Sequence, residues 1–215
     1  MPWFCHGLQV DMLCTMHMEG RLVDVVVDPF ISKHLMPHQR AGVLFLYSNL
    51  MGFKKVVIED GEMTFQGEIL GDEMELVKLL QTMTLVWTWL KQSPVAGYVL
   101  AKKFLIITPS SLCKNWEAEF RKWFGSERII IHIADTGDKV AQFRSYYSAP
   151  ILVMSYEMLV RTLAEVQKIC WALVVCDEAH RMKTSMIKTS SKLGQMACRR
   201  KLLLTGTPFQ NDLGE

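Results

Sequence analysis

The sequence contains six cysteines but no Cys-x-x-Cys pair and no regular cysteine framework. A zinc site therefore has no support, and we expect reduced, mostly buried thiols. No apolar run approaches the length of a membrane span, about 18 residues. Residues 1–14 lack the basic flank and the long apolar segment of a signal peptide. These absences predict a cytosolic or nuclear protein that does not enter a membrane.

The net charge is only +2, but the charges are unevenly distributed along the chain. Residues 1–100 carry 7 Lys and Arg against 11 Asp and Glu, whereas residues 101–215 carry 17 against 11. One interpretation is an ordinary solvated surface. The other is a basic face in the second half that meets phosphates. Charge alone does not decide between them.

Short apolar runs alternate with helix-like segments from about residue 66 onward. Each run has the length and the β-branched content of a buried parallel strand. The runs are GEILGD, KFLIITPSS, RIIIHIAD, APILVMSYE, WALVVCDEAH and KLLLTGTP. Strands that alternate with helices predict an α/β fold in which helices cover both faces of a parallel sheet. Ligands then bind beyond the carboxyl ends of the strands, where the polar residues of these runs lie.

Two of the intervening segments have helical periodicity. In the first, apolar side chains recur at spacings of four, four and three, at Leu112, Trp116, Phe120 and Trp123. Ser110 or Ser111 is placed to cap that helix, and residues 155–168 form the second. Residues 1–35 do not fit the alternation. Within them, 21–30 is interpreted as a strand at the sheet edge or as an extended clamp, and 54–66 is expected to be an exposed loop.

Two carboxylates, Asp177 and Glu178, follow the apolar run at 172–176. ATP hydrolysis needs one carboxylate to hold Mg²⁺, usually through water, and a second to orient or deprotonate the attacking water. A bare Asp-Glu pair would be a solvated acidic turn, but a buried run followed by DEAH favours the functional interpretation. A second run ends in Thr-Gly-Thr-Pro at 205–208, and its hydroxyls are expected near the carboxylates.

Six short motifs occur in order along the chain. They are PHQRAGVLFLY (37–47), DEMELVK (72–78), LIITPSSLCKNW (105–116), ILVMSYEML (151–159), DEAHRMK (177–183) and LLLTGTPFQNDL (202–213). This set resembles the first RecA-like lobe of the Swi/Snf-type ATPases, which are double-stranded-DNA translocases of helicase superfamily two. Residues 22–39 and 125–129 are similar to the recombination-repair, Rad-type branch, particularly its B paralogue. The resemblance implies an N-terminal extension at 1–35 and a RecA-like ATP-binding lobe at 36–215 that stops before a second lobe.

The resemblance also implies site residues, with ATP and Mg²⁺ as cofactors. Gln39 would contact the adenine, and Lys78 would contact the β- and γ-phosphates. The other residues that would bind the nucleotide are Asp72, Glu73, Met74 and Leu76. Asp177 would hold Mg²⁺ through water, and Glu178 would act on the catalytic water. Nucleotide state would be coupled to DNA by His180, Thr205 and Thr207. The DNA backbone would pass Pro109, Ser110, Ser155 and Tyr156, although both of these turns could instead be plain helix caps.

The phosphate-binding loop departs from the family pattern. At 72–79 that pattern reads Asp-Glu-Met-Gly-Leu-Gly-Lys-Thr, but this chain has Glu75, Val77 and Leu79. A β-branched Val77 would cost about 1–2 kcal/mol wherever a positive φ is needed. Glu75 places a negative charge beside a polyanion, and Leu79 has no hydroxyl for Mg²⁺. We therefore expect a damaged ATP site.

The implied function is that of the N-terminal ATP-binding lobe of an ATP-dependent double-stranded-DNA translocase in homologous recombination and DNA repair. We expect this chain to be impaired in ATP binding, inactive alone and nuclear. Its implied partners are double-stranded DNA and, as further candidates, a recombinase filament or other repair proteins. The alternatives are a non-catalytic DNA- or protein-binding module that retains the fold, and a decayed product without function.

Overall fold

The computed structural model describes residues 23–52, 56–58, 61–63, 67–71, 75–95, 101–146, 148–179 and 193–206. The strands are β1 (Val56–Ile58), β2 (Gly61–Met63), β3 (Gly67–Gly71), β4 (Phe104–Thr108), β5 (Ile131–Ala134), β6 (Ile151–Ser155), β7 (Leu173–Cys176) and β8 (Lys201–Thr205). The α-helices are α1 (Pro29–Ser32), α2 (Pro37–Leu50), α3 (Glu75–Lys91), α4 (Cys113–Phe124), α5 (Gly137–Ser145) and α6 (Tyr156–Val166). None of these helices combines the length and the apolar character that crossing a bilayer requires.

Strands β3 to β8 form one six-stranded sheet in the order β3-β8-β7-β4-β6-β5, and every neighbouring pair is parallel. All six apolar runs are therefore strands, and the prediction of a parallel α/β sheet is confirmed. Strands β1 and β2 pair separately as an antiparallel hairpin, with Val56 opposite Met63. The expectation of a plain loop at 54–66 is therefore wrong for these two segments, because cross-strand pairing orders them.

The two faces of the sheet are covered by different helices. Ile106, Val153 and Val175 lie in one buried cluster with residues of α2, α3 and α4. The residues next to them in the strands, such as Leu105 and Leu152, lie in a second cluster with α5 and α6. This alternation follows from the period of two in a strand. Because both faces of the central strands β4, β6 and β7 are buried, these strands are apolar along nearly all of their length.

Helix α4 confirms the predicted helix but begins later than expected. A 3₁₀ turn, Ser110–Leu112, precedes it, and Leu112 N–H donates to the carbonyl of Pro109 at 2.8 Å. The predicted serine cap is wrong, because the serines lie inside this turn and Leu112 occupies the N-cap without a side-chain hydrogen bond. The helix buries Cys113, Trp116, Phe120 and Phe124.

The described part of the N-terminal extension packs against the lobe. Residues 23–28 form no strand. Instead, Gln92 holds Val26 by both backbone groups: its side-chain oxygen accepts from Val26 N–H at 2.8 Å, and its amide donates to the Val26 carbonyl. The core cluster under α2 and α3 includes Val25, Ile31 and Leu35. The segment is therefore a clamp rather than an edge strand, and the boundary at 35/36 stays a prediction.

Candidate functional site

The carboxyl edge of the sheet brings the predicted motifs into one row. Gly71 at the end of β3 pairs with Thr205 of β8, and Thr108 of β4 pairs with Ser155 of β6. Asp177 follows β7, which lies between β8 and β4. Neighbouring strands are about 4.8 Å apart, so the row from Gly71 to Ser155 spans roughly 19 Å. Motifs that are far apart in sequence therefore form one continuous edge.

Asp177 is held by three donors although it is only 5% exposed. Its Oδ2 accepts from the hydroxyl of Thr108 at 3.0 Å and from the indole N–H of Trp116 at 2.8 Å. Its Oδ1 accepts from the backbone N–H of Glu178 at 3.0 Å. A buried carboxylate needs such donors in place of water. Three of its roughly four acceptor positions are thereby used, and its direction is set by the protein.

Glu178 has an unusual backbone. Its φ is 52°, the one positive value outside glycine among the residues that the structure describes. A side chain in this left-handed region costs about 1–2 kcal/mol. Such strain persists where the surroundings enforce it, often at functional sites. It turns the chain directly after β7. The side chains of Asp177 and Glu178 are both buried.

The thiol that precedes the pair does not add charge to it. Cys176 is fully buried at the end of β7. Burial raises the pKa of the Cys176 thiol to about 12, partly opposed by Lys201. The thiol therefore stays protonated at neutral pH, and the negative charge beside β7 comes from the two carboxylates.

The four predicted DNA-contacting residues lie in two turns beside Asp177, but they differ in exposure. Ser110 is exposed, whereas Pro109 is buried. The hydroxyl of Ser155 accepts from the backbone N–H of Met158 at 3.1 Å and so caps α6. Tyr156 is 3% exposed, and its hydroxyl donates to the carbonyl of Asp177 at 2.6 Å.

Tyr156 therefore helps to position the acidic pair through its hydrogen bond to the backbone of Asp177. Burial, together with nearby Cys176, Asp177 and Glu178, raises the pKa of Tyr156, so its hydroxyl remains a donor. Its side chain is already engaged inside the protein, which argues against the predicted contact with DNA. Of the four predicted residues, Ser110 presents its side chain to solvent most openly.

Lys78 lies at the β8 side of the row. It is 2% exposed, and a Cβ placed on Gly206 would stand 3.5 Å from the Lys78 ammonium. Gly206 directly follows Thr205, which is buried at the end of β8. The structure therefore brings Lys78 beside the Thr-Gly-Thr-Pro motif, although 128 positions separate Lys78 from Gly206.

The backbone around Lys78 differs from the expected phosphate loop. Helix α3 begins at Glu75, so the positions where the family pattern has glycine already belong to the first helical turns. The predicted strain at Val77 is wrong, because a helical Val77 needs no positive φ. Leu79 is 5% exposed and lies in the core cluster under α3. The three replacements therefore lie in the first turns of a helix, and Leu79 adds to its buried apolar face.

Gln39 is buried in the first turn of α2. Its side-chain oxygen accepts from the backbone N–H of Met36, the N-cap residue, at 2.8 Å and so satisfies one donor at the start of this helix. Its amide N–H groups are not used in that bond and could still donate to a base. A contact between Gln39 and adenine stays a prediction.

Several predicted site residues lie outside the described residues. They are Asp72, Glu73, Met74, His180 and Thr207. Leu76 is described only as part of helix α3. Their predicted roles at nucleotide and in coupling remain as the sequence states them.

The described residues fit an ATP–Mg²⁺ complex in part only. On the β7 side, Asp177 is a fixed carboxylate suited to Mg²⁺ through water. Among the residues that the structure describes, no cluster of three His, Cys, Asp or Glu could hold a metal by itself. On the β3 side the fit fails: α3 starts before Lys78, and Leu79 offers the metal no hydroxyl. The described residues therefore supply only the carboxylate side of an ATP–Mg²⁺ site.

Sequence reasoning missed two residues that position the acidic pair. In the sequence, Thr108 belongs to a predicted strand and Trp116 to the apolar face of a predicted helix. Trp116 does lie in the core, 0% exposed, but its indole N–H is directed at Asp177. The sequence does contain one signal for this role. Trp116 lies in a motif that immediately follows a predicted strand, and the N–H of a buried indole needs an acceptor.

The chain matches the family described as SNF2-related domain over residues 38–215. It is 48% identical over 194 residues to DNA repair and recombination protein RAD54B of Gallus gallus, covering 90% of this chain and 20% of that protein. The human RAD54B is 47% identical over the same length and share. RDH54 of Saccharomyces cerevisiae, also named a DNA repair and recombination protein, is 37% identical over 228 residues, covering 90% of this chain and 25% of the relative. The chain thus spans a fifth to a quarter of these relatives.

A solved structure has a similar fold. The Sulfolobus solfataricus SWI2/SNF2 ATPase core in complex with dsDNA superimposes with a TM-score of 0.62 at 25% identity, over 83% of this chain and 33% of that one. The similarity confirms the predicted RecA-like α/β lobe. The resemblance to the recombination-repair branch is confirmed by the relatives above.

Proposed function

The chain belongs to the SNF2-related domain family, and from this premise we propose that it is the N-terminal RecA-like lobe, at 36–215, of an ATP-dependent double-stranded-DNA translocase of recombination and repair. Its relatives RAD54B and RDH54 are DNA repair and recombination proteins. In this proposal the carboxyl edge of the sheet faces duplex DNA at Ser110 and Ser155. The chain acts in the nucleus, and a recombinase filament or other repair proteins are its further partners.

The row of motifs along the carboxyl edge supports this proposal most directly. Thr205, Asp177 and Thr108 follow one another at the ends of three neighbouring strands, β8, β7 and β4, and Lys78 of α3 lies beside Gly206, just after β8. The acidic pair is connected by Tyr156 to the β6–α6 turn, where the DNA backbone is expected. A displacement at the nucleotide side can therefore reach the DNA side through one hydrogen bond. We propose that this connection is the coupling path.

We further propose that the chain alone binds ATP weakly and does not turn it over. Helix α3 occupies the positions where a glycine loop would surround phosphates, and Leu79 replaces the hydroxyl residue. The same observation favours the second candidate, a non-catalytic DNA- or protein-binding module with the same fold. The two candidates differ in whether Mg²⁺–nucleotide binds at all.

DNA binding tests what both candidates share. We expect fluorescence anisotropy with a labelled duplex to show weak binding without sequence preference that weakens steeply as salt rises. Ser110→Asp places a carboxylate where phosphates are expected, and should weaken binding by about tenfold, equivalent to 1.4 kcal/mol. Ser126→Asp is the matched control, because Ser126 is also exposed but lies in the loop after α4.

Equal effects of the two aspartates, or affinity that does not change with salt, would contradict the proposed DNA edge.

Nucleotide binding then separates the candidates. Saturable binding of a fluorescent ATP analogue with Mg²⁺, lost in Lys78→Ala, supports the translocase lobe. Binding that is absent, or that is unaffected by Lys78→Ala, supports the non-catalytic module.

A further inference from the structure

A groove of about 890 Å³ opens at the amino-terminal edge of the sheet, opposite the acidic pair. It is lined by the residues that lead into β4, β5, β6, β7 and β8 and by the end of α3. A strand of five residues is roughly 16 Å long, which separates this groove from the carboxyl edge. We propose that it is a docking site for an acidic peptide whose carboxylates alternate with apolar side chains.

The groove is strongly cationic. Its lysines are Lys91, Lys102, Lys103 and Lys168. Its arginines are Arg128, Arg144 and Arg200. Among its lining residues Glu127 is the only acid, and Glu165 pairs with Lys168 at 2.5 Å from outside the lining. Five of the seven positive charges therefore have no carboxylate to offset them among the residues that the structure describes.

Some of these cations have structural roles. The Lys103 ammonium donates to the carbonyls of Phe143 at 3.3 Å and Ala149 at 3.0 Å, and Arg200 Nε donates to the carbonyl of Leu50 at 2.9 Å. Carbonyl oxygens orient a cation but do not neutralise it. Lys102 and Arg144 are exposed and form no ion pair with a described residue. These two are free to meet a ligand.

Helix ends account for part of the charge but not for all of it. Helices α3 to α6 all end at this edge, and each carboxyl end carries about half a negative charge. Lys91 and Arg144 lie in the last turns of α3 and α5, where they complement these dipoles. Four such ends offset roughly two charges. An excess of positive charge remains, carried largely by loop residues.

The groove also has an apolar component that complements a peptide better than a nucleic acid. Ile130 is 49% exposed, and Leu90, Ile169 and Trp171 line the groove beside it. A nucleic-acid backbone offers phosphates on a convex surface and no apolar side chain for Ile130. An acidic peptide with leucine or phenylalanine between its carboxylates satisfies both the basic rim and the apolar floor.

Two fluorescein-labelled peptides test the proposal with the full chain. One alternates pairs of Glu and Leu, and the other replaces every Leu with Ser. We expect micromolar binding of the first and at least about tenfold weaker binding of the second, a difference of 1.4 kcal/mol. Lys102→Glu with Arg144→Glu should weaken the binding of the Glu-Leu peptide by at least about tenfold.

The matched control is Lys114→Glu with Arg161→Glu. Both residues are exposed and lie outside the groove, and the two substitutions change the net charge by the same amount as the groove variant does. It should leave peptide affinity unchanged. If the first double variant does not fold, Lys102→Gln with Arg144→Gln replaces it, with a smaller loss expected. No binding of the Glu-Leu peptide, equal binding of both peptides, or equal losses in the groove and control variants would overturn the proposal. Displacement of the peptide by duplex DNA, with the same loss of DNA affinity in the groove variant, would identify a nucleic-acid surface and overturn it too.

Discussion

The indole N–H of Trp116 donates to Oδ2 of Asp177 at 2.8 Å, and both residues are buried. The bond joins α4 to the carboxylate that follows β7, at a residue whose backbone N–H also donates to the carbonyl of Ile107 in β4 at 2.8 Å. Thr108 donates to the same oxygen from β4. The orientation of Asp177 therefore depends on two residues outside its own motif.

Removing the indole donor should lower the stability of the fold. Trp116→Phe retains a ring but leaves a buried carboxylate with one donor fewer, so we expect the free energy of unfolding to fall by about 1.5–3 kcal/mol. Urea denaturation measures this. Trp123→Phe is the control: its indole donates to Glu119 at 2.9 Å on the same helix, nearer the surface, where water can replace it. A loss in Trp123→Phe as large as that in Trp116→Phe would contradict a special role for the Asp177 bond.

The sheet could be predicted from the sequence largely because its central strands, β4, β6 and β7, are buried on both faces. Continuous apolar runs such as the one ending at Cys176 result directly from that burial. The hairpin at 56–58 and 61–63 could not be predicted this way, because a short antiparallel pair outside the main sheet has no comparable run. Strand order also required the structure, since it depends on which faces pack and not on local pattern.

The site could be predicted at the level of motifs but not of side-chain directions. Asp177, Lys78 and Thr205 lie along the expected edge. Tyr156, by contrast, points inward to the carbonyl of Asp177, because a residue at the start of a helix can face either the core or solvent. The family pattern predicts a loop before Lys78, whereas α3 already begins at Glu75.

Glycine should stabilise position 178 relative to alanine. The φ of 52° at Glu178 is accessible to glycine without strain but not to alanine. Both substitutions remove the same carboxylate, so their comparison isolates the backbone. We expect the free energy of unfolding of Glu178→Gly to be about 1 kcal/mol higher than that of Glu178→Ala. If alanine is the more stable of the two, the left-handed turn after β7 is absent.

His132 should make the protein less stable in mild acid. It lies on β5 beside the rings of Phe143 and Tyr146, and its Nε2 has no hydrogen-bond partner among the residues that the structure describes. Burial, and next the nearby Lys139 ammonium, lower the pKa of His132. The unfolded state, with a pKa near 6.5, therefore binds a proton first as pH falls. The stability that neutral His132 contributes is complete above about pH 6.5 and is lost below it.

His132→Phe should reduce that pH dependence. The free energy of unfolding, measured by urea denaturation on either side of pH 6.5, should fall less in this variant than in the parent as the solution is acidified. Phenylalanine keeps an aromatic ring against Phe143 and removes the titrating group. An identical fall in both proteins would show that protonation of His132 does not contribute to acid sensitivity.

Restoring the family pattern at the start of α3 should strengthen nucleotide binding. The reversion Glu75→Gly, Val77→Gly, Leu79→Thr should raise the affinity for Mg²⁺–nucleotide by at least about tenfold, equivalent to 1.4 kcal/mol. Two glycines weaken the first turns of α3 by up to about 1 kcal/mol each and allow a loop to form there. Leu79→Thr supplies a hydroxyl but removes a core side chain that is 5% exposed, so the variant should also be less stable without nucleotide.

Partial reversions separate these effects. Leu79→Thr alone should lose stability without gaining affinity, because α3 still begins at Glu75. Glu75→Gly with Val77→Gly should gain most of the affinity, since the backbone must open before amides can reach phosphates. A fluorescent ATP analogue measures binding to the parent and to all three variants, and circular dichroism verifies that each is folded. If the folded triple variant binds no better than the parent, the nucleotide pocket is lost beyond this loop, and the non-catalytic module is the better account of the chain.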